Sequence, residues 1–145
     1  MIAKSAWLLP IVLVAFAQDS NDDKAKKDLE RLQGTWVMHA LEINGKAESR
    51  IQDSVLDIKK DEYKTTVKGK EQRGLKLKLD PSKEPKWVDM IQSQPGEADK
   101  VIKGIYTFEK DTFKICRGLD STQERPNQFA TWPDTAYFVV TWKKK

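Results

Sequence analysis

The spacing of apolar positions changes character once along this chain, and the change falls at Gly34. Upstream, Ala25, Leu29 and Leu32 recur at intervals of four and three, which predicts a helix over about Asp23–Gln33 with one apolar stripe. Ser20, Asn21 and Asp22 suit its N-cap, Asp22 and Asp23 complement the dipole at its start, and Gly34 suits the position just past its end. Downstream the period is two. Thr35–Ile43 reads as a strand that ends at Asn44-Gly45, a strong hairpin signal. In Ser54–Lys59, Leu56 and Ile58 alternate with Asp57 and Lys59. After a turn at Asp61-Glu62 the strand Tyr63–Lys68 alternates Tyr63, Thr65 and Val67 with Lys64, Thr66 and Lys68, before Gly69-Lys70-Glu71 turns the chain again. Gly74–Asp80 is the sharpest case, with Leu75, Leu77 and Leu79 on one face and Lys76 and Lys78 on the other. Lys86–Ile91, Lys100–Glu109, Thr112–Arg117 and Thr135–Trp142 complete the series, and Lys143-Lys144-Lys145 reads as a solvated tail. Gly118–Asp134, with Pro126 and Pro133, is a long irregular stretch.

About eight short strands follow one another through tight turns with no crossover helix between them, so the sheet is expected to be antiparallel. The class is mainly all-β: a small up-and-down barrel of about eight strands behind one N-terminal helix. Eight strands enclose just enough room to pack side chains or to hold one small ligand. A two-sheet sandwich is the alternative, since strand periodicity does not show closure.

Residues 1–17 have the form of a cleavable signal peptide: Lys4, an apolar run from Trp7 to Phe16, and a small-x-small site at Ala15-Phe16-Ala17. The run falls short of the roughly 20 apolar residues of a spanning helix, and Pro10 interrupts it. The expectation is an exported protein, periplasmic or secreted, with no stable membrane insertion after cleavage and a single domain over residues 18–145. Outside the leader 25 basic residues face 22 acidic ones. So slight and evenly spread an excess builds no nucleic-acid patch, and nucleic acid is not an expected partner. Cys116 is the only cysteine and His39 the only histidine, which excludes an internal disulfide and a cysteine-rich zinc site. Asp19, Asp22 and Asp23 lack the Gly and terminal Glu of a calcium loop and read as capping residues.

A short helix followed by Gly34-Thr35-Trp36 at the opening of the first strand resembles the lipocalin arrangement, in which the motif Trp packs across the barrel floor. Four stretches carry a narrower resemblance: LQGTW at Leu32–Trp36, KLDPSKEPKWVDM at Lys78–Met90, GIYTFEKDTFKIC at Gly104–Cys116 and ERPNQF at Glu124–Phe129. Through them the chain resembles a planctomycete family of exported lipocalin-like domains with no established activity. The resemblance implies the barrel fold and supplies no catalytic residues. In lipocalins a basic residue near the end of the last strand often stacks on the motif Trp. Lys143 is the nearest positional match, and Arg117 or Arg125 are other sources of that cation.

The expected function is non-enzymatic binding of a small hydrophobic or amphipathic molecule in the lumen, with no cofactor. Parity places Trp36 and Met38 inward on the first strand, with Ala40 continuing that face. Leu56 and Ile58, Leu75 and Leu77, Tyr106 and Phe108, and Phe113 and Ile115 complete the candidate lining. The alternative is a solid barrel serving as a protein-interaction or envelope-structural module through its loops, with Trp87 and Trp132 as stacking platforms or core edges. The protein partner such a module would meet is not identified. Enzymatic use of Cys116 or His39 would need the two brought together, and parity puts both outside the lumen. In the loops, Asp80 or Glu84 is expected to brace Arg125 or Lys86. No phosphate loop, metal-ligand spacing or nucleophile elbow is present.

Overall fold

The fold is described from a computed structural model covering Pro10, residues 20–49 and residues 53–145. The leader, apart from Pro10, and Asp19 of the acidic cluster lie outside the described residues. Helix α1 spans Asn21–Leu32. Ser20 caps it by accepting the Asp23 N–H at 3.2 Å, with Asp22 and Asp23 in the first turn, so the acidic residues act at the helix start. The strands are β1 (Gly34–Ile43), β2 (Lys46–Ala47), β3 (Ser54–Lys59), β4 (Glu62–Val67), β5 (Lys70–Glu71), β6 (Leu75–Asp80), β7 (Lys86–Gln92), β8 (Lys100–Glu109), β9 (Thr112–Gly118) and β10 (Tyr137–Lys144).

All pairings are antiparallel. Eight strands run in the order β1-β3-β4-β6-β7-β8-β9-β10, and β10 returns to β1, so the sheet closes into a barrel and the sandwich is excluded. β2 and β5 are two-residue returns that pair with β1 and β4. They follow turns in which both central residues have positive φ, Asn44-Gly45 and Lys68-Gly69, as a two-residue hairpin of the primed type requires. The wall is uneven. β4 and β6 share only the pairs Glu62–Lys76 and Tyr63–Leu75, whereas β1 and β10 share seven. Beyond Tyr63 the two strands part.

One end of the barrel is plugged by α1. The Trp36 indole N–H donates to the carbonyl of Leu32, the last helical residue, at 2.8 Å. That carbonyl has no acceptor role left inside the helix, so the bond joins helix and barrel by satisfying an orphan group. Phe113 meets the indole edge-on at a centroid distance of 4.6 Å. Gln33 clasps the β3–β4 turn, donating to the Lys60 carbonyl and accepting the Lys60 N–H, both at 2.7 Å. Asn21 donates to Asp80, and Arg31 lies 4.2 Å over the Phe108 ring.

Three sequence expectations are corrected. The register of β1 against β10 slips between Met38 and Ala40. This bulge exposes His39 and Ala40 and turns Leu41 and Ile43 inward, so Ala40 does not continue the Trp36 face. The last strand runs on to Lys144, so the terminal lysines are not simply a solvated tail. The cation over Trp36 is Lys144, at 4.5 Å from the ring centroid, rather than Lys143, Arg117 or Arg125. Lys144 also donates to the Gln33 carbonyl. It crosses so close over Gly34 that a Cβ there would sit 2.8 Å from its Nζ, and Gly34 has φ +113°. Glycine meets both demands.

Trp36→Ala is expected to lower the unfolding free energy in urea by about 3–5 kcal/mol, because it removes the plug's largest buried contact as well as its tie to the helix. Trp132→Ala, at a half-exposed loop position, serves as the comparison. Equal losses in the two variants would show that the plug carries no special weight.

Candidate functional site

The end of the barrel away from α1 is open and contains a cavity of about 330 Å³. Its floor is Trp142 and Tyr63, whose rings meet edge-on while the Trp142 N–H donates to the Tyr63 hydroxyl at 3.0 Å. Its wall is Met38, Leu41 and Ile43 on β1, Val67 on β4, and Phe138 and Val140 on β10. The β1 bulge is what aims Leu41 and Ile43 at this space. Gln72, Arg73 and Leu75 line it where β4 and β6 part, and the half-exposed Leu119 adds an apolar residue to the lining.

The lining also contains one largely buried cationic group. Arg117 follows Phe113 and Ile115 at intervals of two on β9 and therefore points inward at the open end. Its guanidinium lies 4.4 Å over the Phe138 ring, and its Nη1 is fully buried with no hydrogen-bond partner. Burial lowers the Arg117 pKa, with Tyr63 opposing the shift. The Tyr63 hydroxyl is pushed up to about 12, mainly by burial, against the pull of the Arg117 charge and the Trp142 bond.

The ten lumen candidates divide between the two halves of the barrel. Met38 and Leu75 line the cavity. Trp36, Leu56, Ile58, Leu77, Tyr106, Phe113 and Ile115 are buried in the packed core outside the cavity lining, with Phe108 against them. Tyr106 donates to Asp28 of α1 at 2.7 Å, and Lys86 pairs with the same carboxylate at 2.9 Å. Burial, then the Asp28 bond, raises the Tyr106 pKa strongly. Tyr63, Arg117, Phe138, Val140 and Trp142 were not among the candidates. Their signal is parity: Phe138, Val140 and Trp142 repeat at two, and Arg117 extends the inward row of β9.

The loop between β9 and β10 packs on the outside of the barrel. Phe129 covers a second cluster of Ile105, Cys116 and Val139, which are aligned across β8, β9 and β10. Thr131 fastens the loop by donating its hydroxyl to Glu42 at 2.7 Å and accepting the Gly45 N–H at 2.8 Å. Arg125 donates to the carbonyls of Val88 and Gly104, pairs with Asp89 at 2.6 Å and covers the Trp87 ring at 4.3 Å. The loop bracing therefore uses Asp28 and Asp89, while Asp80 instead accepts from Ser82 and Asn21. Lys83 sits 4.7 Å over Trp87 as well, so cations of this chain cover that ring, whereas Trp132 remains half exposed.

Cys116 is fully buried and its thiol is pushed up to about 11, chiefly by burial. His39 stands exposed at the bulge. The structure thus brings together neither a thiolate nor a nearby base. Neither family models, curated proteins nor solved structures gave a significant match to this chain.

In the native protein Cys116 is expected to resist iodoacetamide at neutral pH and to react once the chain unfolds. Cys116 and Tyr63 both hold their protons more tightly folded than unfolded. Stability is therefore complete below about pH 9 and falls as pH rises toward 11 for Cys116 and 12 for Tyr63. A melting temperature that stays level from pH 8 to 11 would contradict the burial of both groups.

Proposed function

We propose that this protein is an exported, non-enzymatic barrel that binds a small apolar or amphipathic molecule in its open end. The observation that carries the reading is the cavity itself. At about 330 Å³ it lies at the lower edge of the ligand-pocket range of roughly 300–1,000 Å³, and its wall is mostly apolar with a few polar groups placed within it. Burial of a guest's apolar surface would drive binding. The plugged end and the open end divide the labour: one fixes the fold, and the other leaves space that the fold does not fill. The helix plug with its Gly-x-Trp entry is also what the lipocalin resemblance implies, and the leader at residues 1–17 supports an exported setting.

Native mass spectrometry of protein purified from its own host is expected to give a reproducible bound mass. In solution the neutral probe N-phenyl-1-naphthylamine should brighten on binding. Met38→Trp, which extends a lining side chain into the space, should weaken that binding by about ten-fold or more, roughly the 1.4 kcal/mol equivalent of a partly filled site. Probe uptake unchanged by this substitution would place binding outside the lumen.

A further inference from the structure

The barrel contains two arginines that are largely withdrawn from solvent, and it treats them differently. Arg125 has two backbone carbonyls, a carboxylate and an indole face. Among the described residues Arg117 has only the face of Phe138, and its Nη1 is buried without an acceptor. A ring face interacts with the flat side of a guanidinium but accepts none of its in-plane N–H groups. Buried charges are ordinarily paired, and an unpaired donor on a charged group is among the more costly features a fold can keep.

The surroundings indicate what would pair with it. Among the described residues no Asp or Glu lines the cavity, and the other charged group there is a second arginine, Arg73, which is exposed. The Tyr63 hydroxyl accepts from Trp142, and its own proton has no acceptor among the described residues. Tyr63 and Arg117 line the same cavity. The cavity therefore offers a cationic donor and a hydroxyl donor, both unspent, in a wall that is mostly apolar and otherwise carries Ser54, Thr65, Gln72 and the exposed Arg73. A cationic guest would meet repulsion, and a neutral hydrocarbon would leave Nη1 unsatisfied. A carboxylate matches the planar fork of an arginine in charge and shape.

We infer that the guest of the lumen carries a carboxylate, which pairs with Arg117 and accepts from Tyr63 while its apolar body packs against Met38, Val140 and Phe138. The inference rests on the lumen-binding reading above and narrows it to carboxylate-headed amphiphiles.

The test compares decanoate, 1-decanol and decyltrimethylammonium as competitors of N-phenyl-1-naphthylamine at neutral pH and low salt. Decanoate should compete at least about ten-fold more tightly than decanol, and the ammonium least, as expected when a charge-assisted bond is gained. Arg117→Met keeps an apolar stem, so it should still bind the neutral probe but lose the preference for decanoate. Tyr63→Phe should weaken decanoate several-fold more than it weakens the neutral probe. If Arg117→Met does not fold, Arg117→Lys takes its place, keeping the charge without the fork and reducing the preference without reversing it. Equal competition by decanol and decanoate in the unaltered protein overturns the inference while leaving lumen binding intact. So does a preference that survives the Arg117 substitution unchanged. Failure of the neutral probe to bind at all overturns the lumen reading and this inference with it.

Discussion

One hydrogen bond joins the only helix among the described residues to the sheet at the point where the chain passes from one to the other. The Trp36 N–H reaches back four residues to the Leu32 carbonyl, so the indole is fixed at the barrel base by the helix that lies over it. Everything at that end is organised around the ring. Phe113 meets its edge, Lys144 covers its face, and Gly34 is the residue that lets Lys144 approach so closely. The consequence is a base that is dry and well tied, with Asp28, Arg31 and Gln33 each anchoring α1 to a different part of the rim. A short helix is marginal alone; this one is held by its attachments.

The opposite end lacks such attachments. Strands β4 and β6 separate after two residue pairs, and the interior there is lined rather than filled. An open apolar space beside a guanidinium nitrogen with no acceptor departs from the close packing and polar satisfaction found elsewhere in the molecule. Departures of that kind concentrate where a protein meets something else. This contrast between the two ends is what supports reading the open end as a site.

The strands were legible because period-two alternation is a local property: Ser54–Lys59 and Lys100–Glu109 are the predicted segments without change. The helix and its Gly34 stop were legible for the same reason. What escaped depends on pairs of strands. The bulge at His39 reverses parity midway along β1, and nothing in that strand's composition announces it. Alternation tells inward from outward but not plugged end from open end, so parity groups Phe113 and Ile115, which pack in the core, with Met38, which lines the cavity. The burial of Cys116 follows from Phe129 folding over the outer wall, and a proline-bearing loop gives no hint of where it will settle. The partner of Trp36 lay one residue past the expected Lys143, in a tail that proved to be strand.

The brevity of the β4–β6 seam gives the barrel a compliant wall. The seams elsewhere are longer ladders of backbone bonds, whereas here two residue pairs and the Leu77 N–H to Asp61 carbonyl bond hold the strands together. A guest bulkier than the resting space would meet the least resistance at this slit, and its entry would leave the helix and its indole undisturbed. The wall at the open end is thus tied less firmly than the base, so the two ends of one scaffold differ in stiffness.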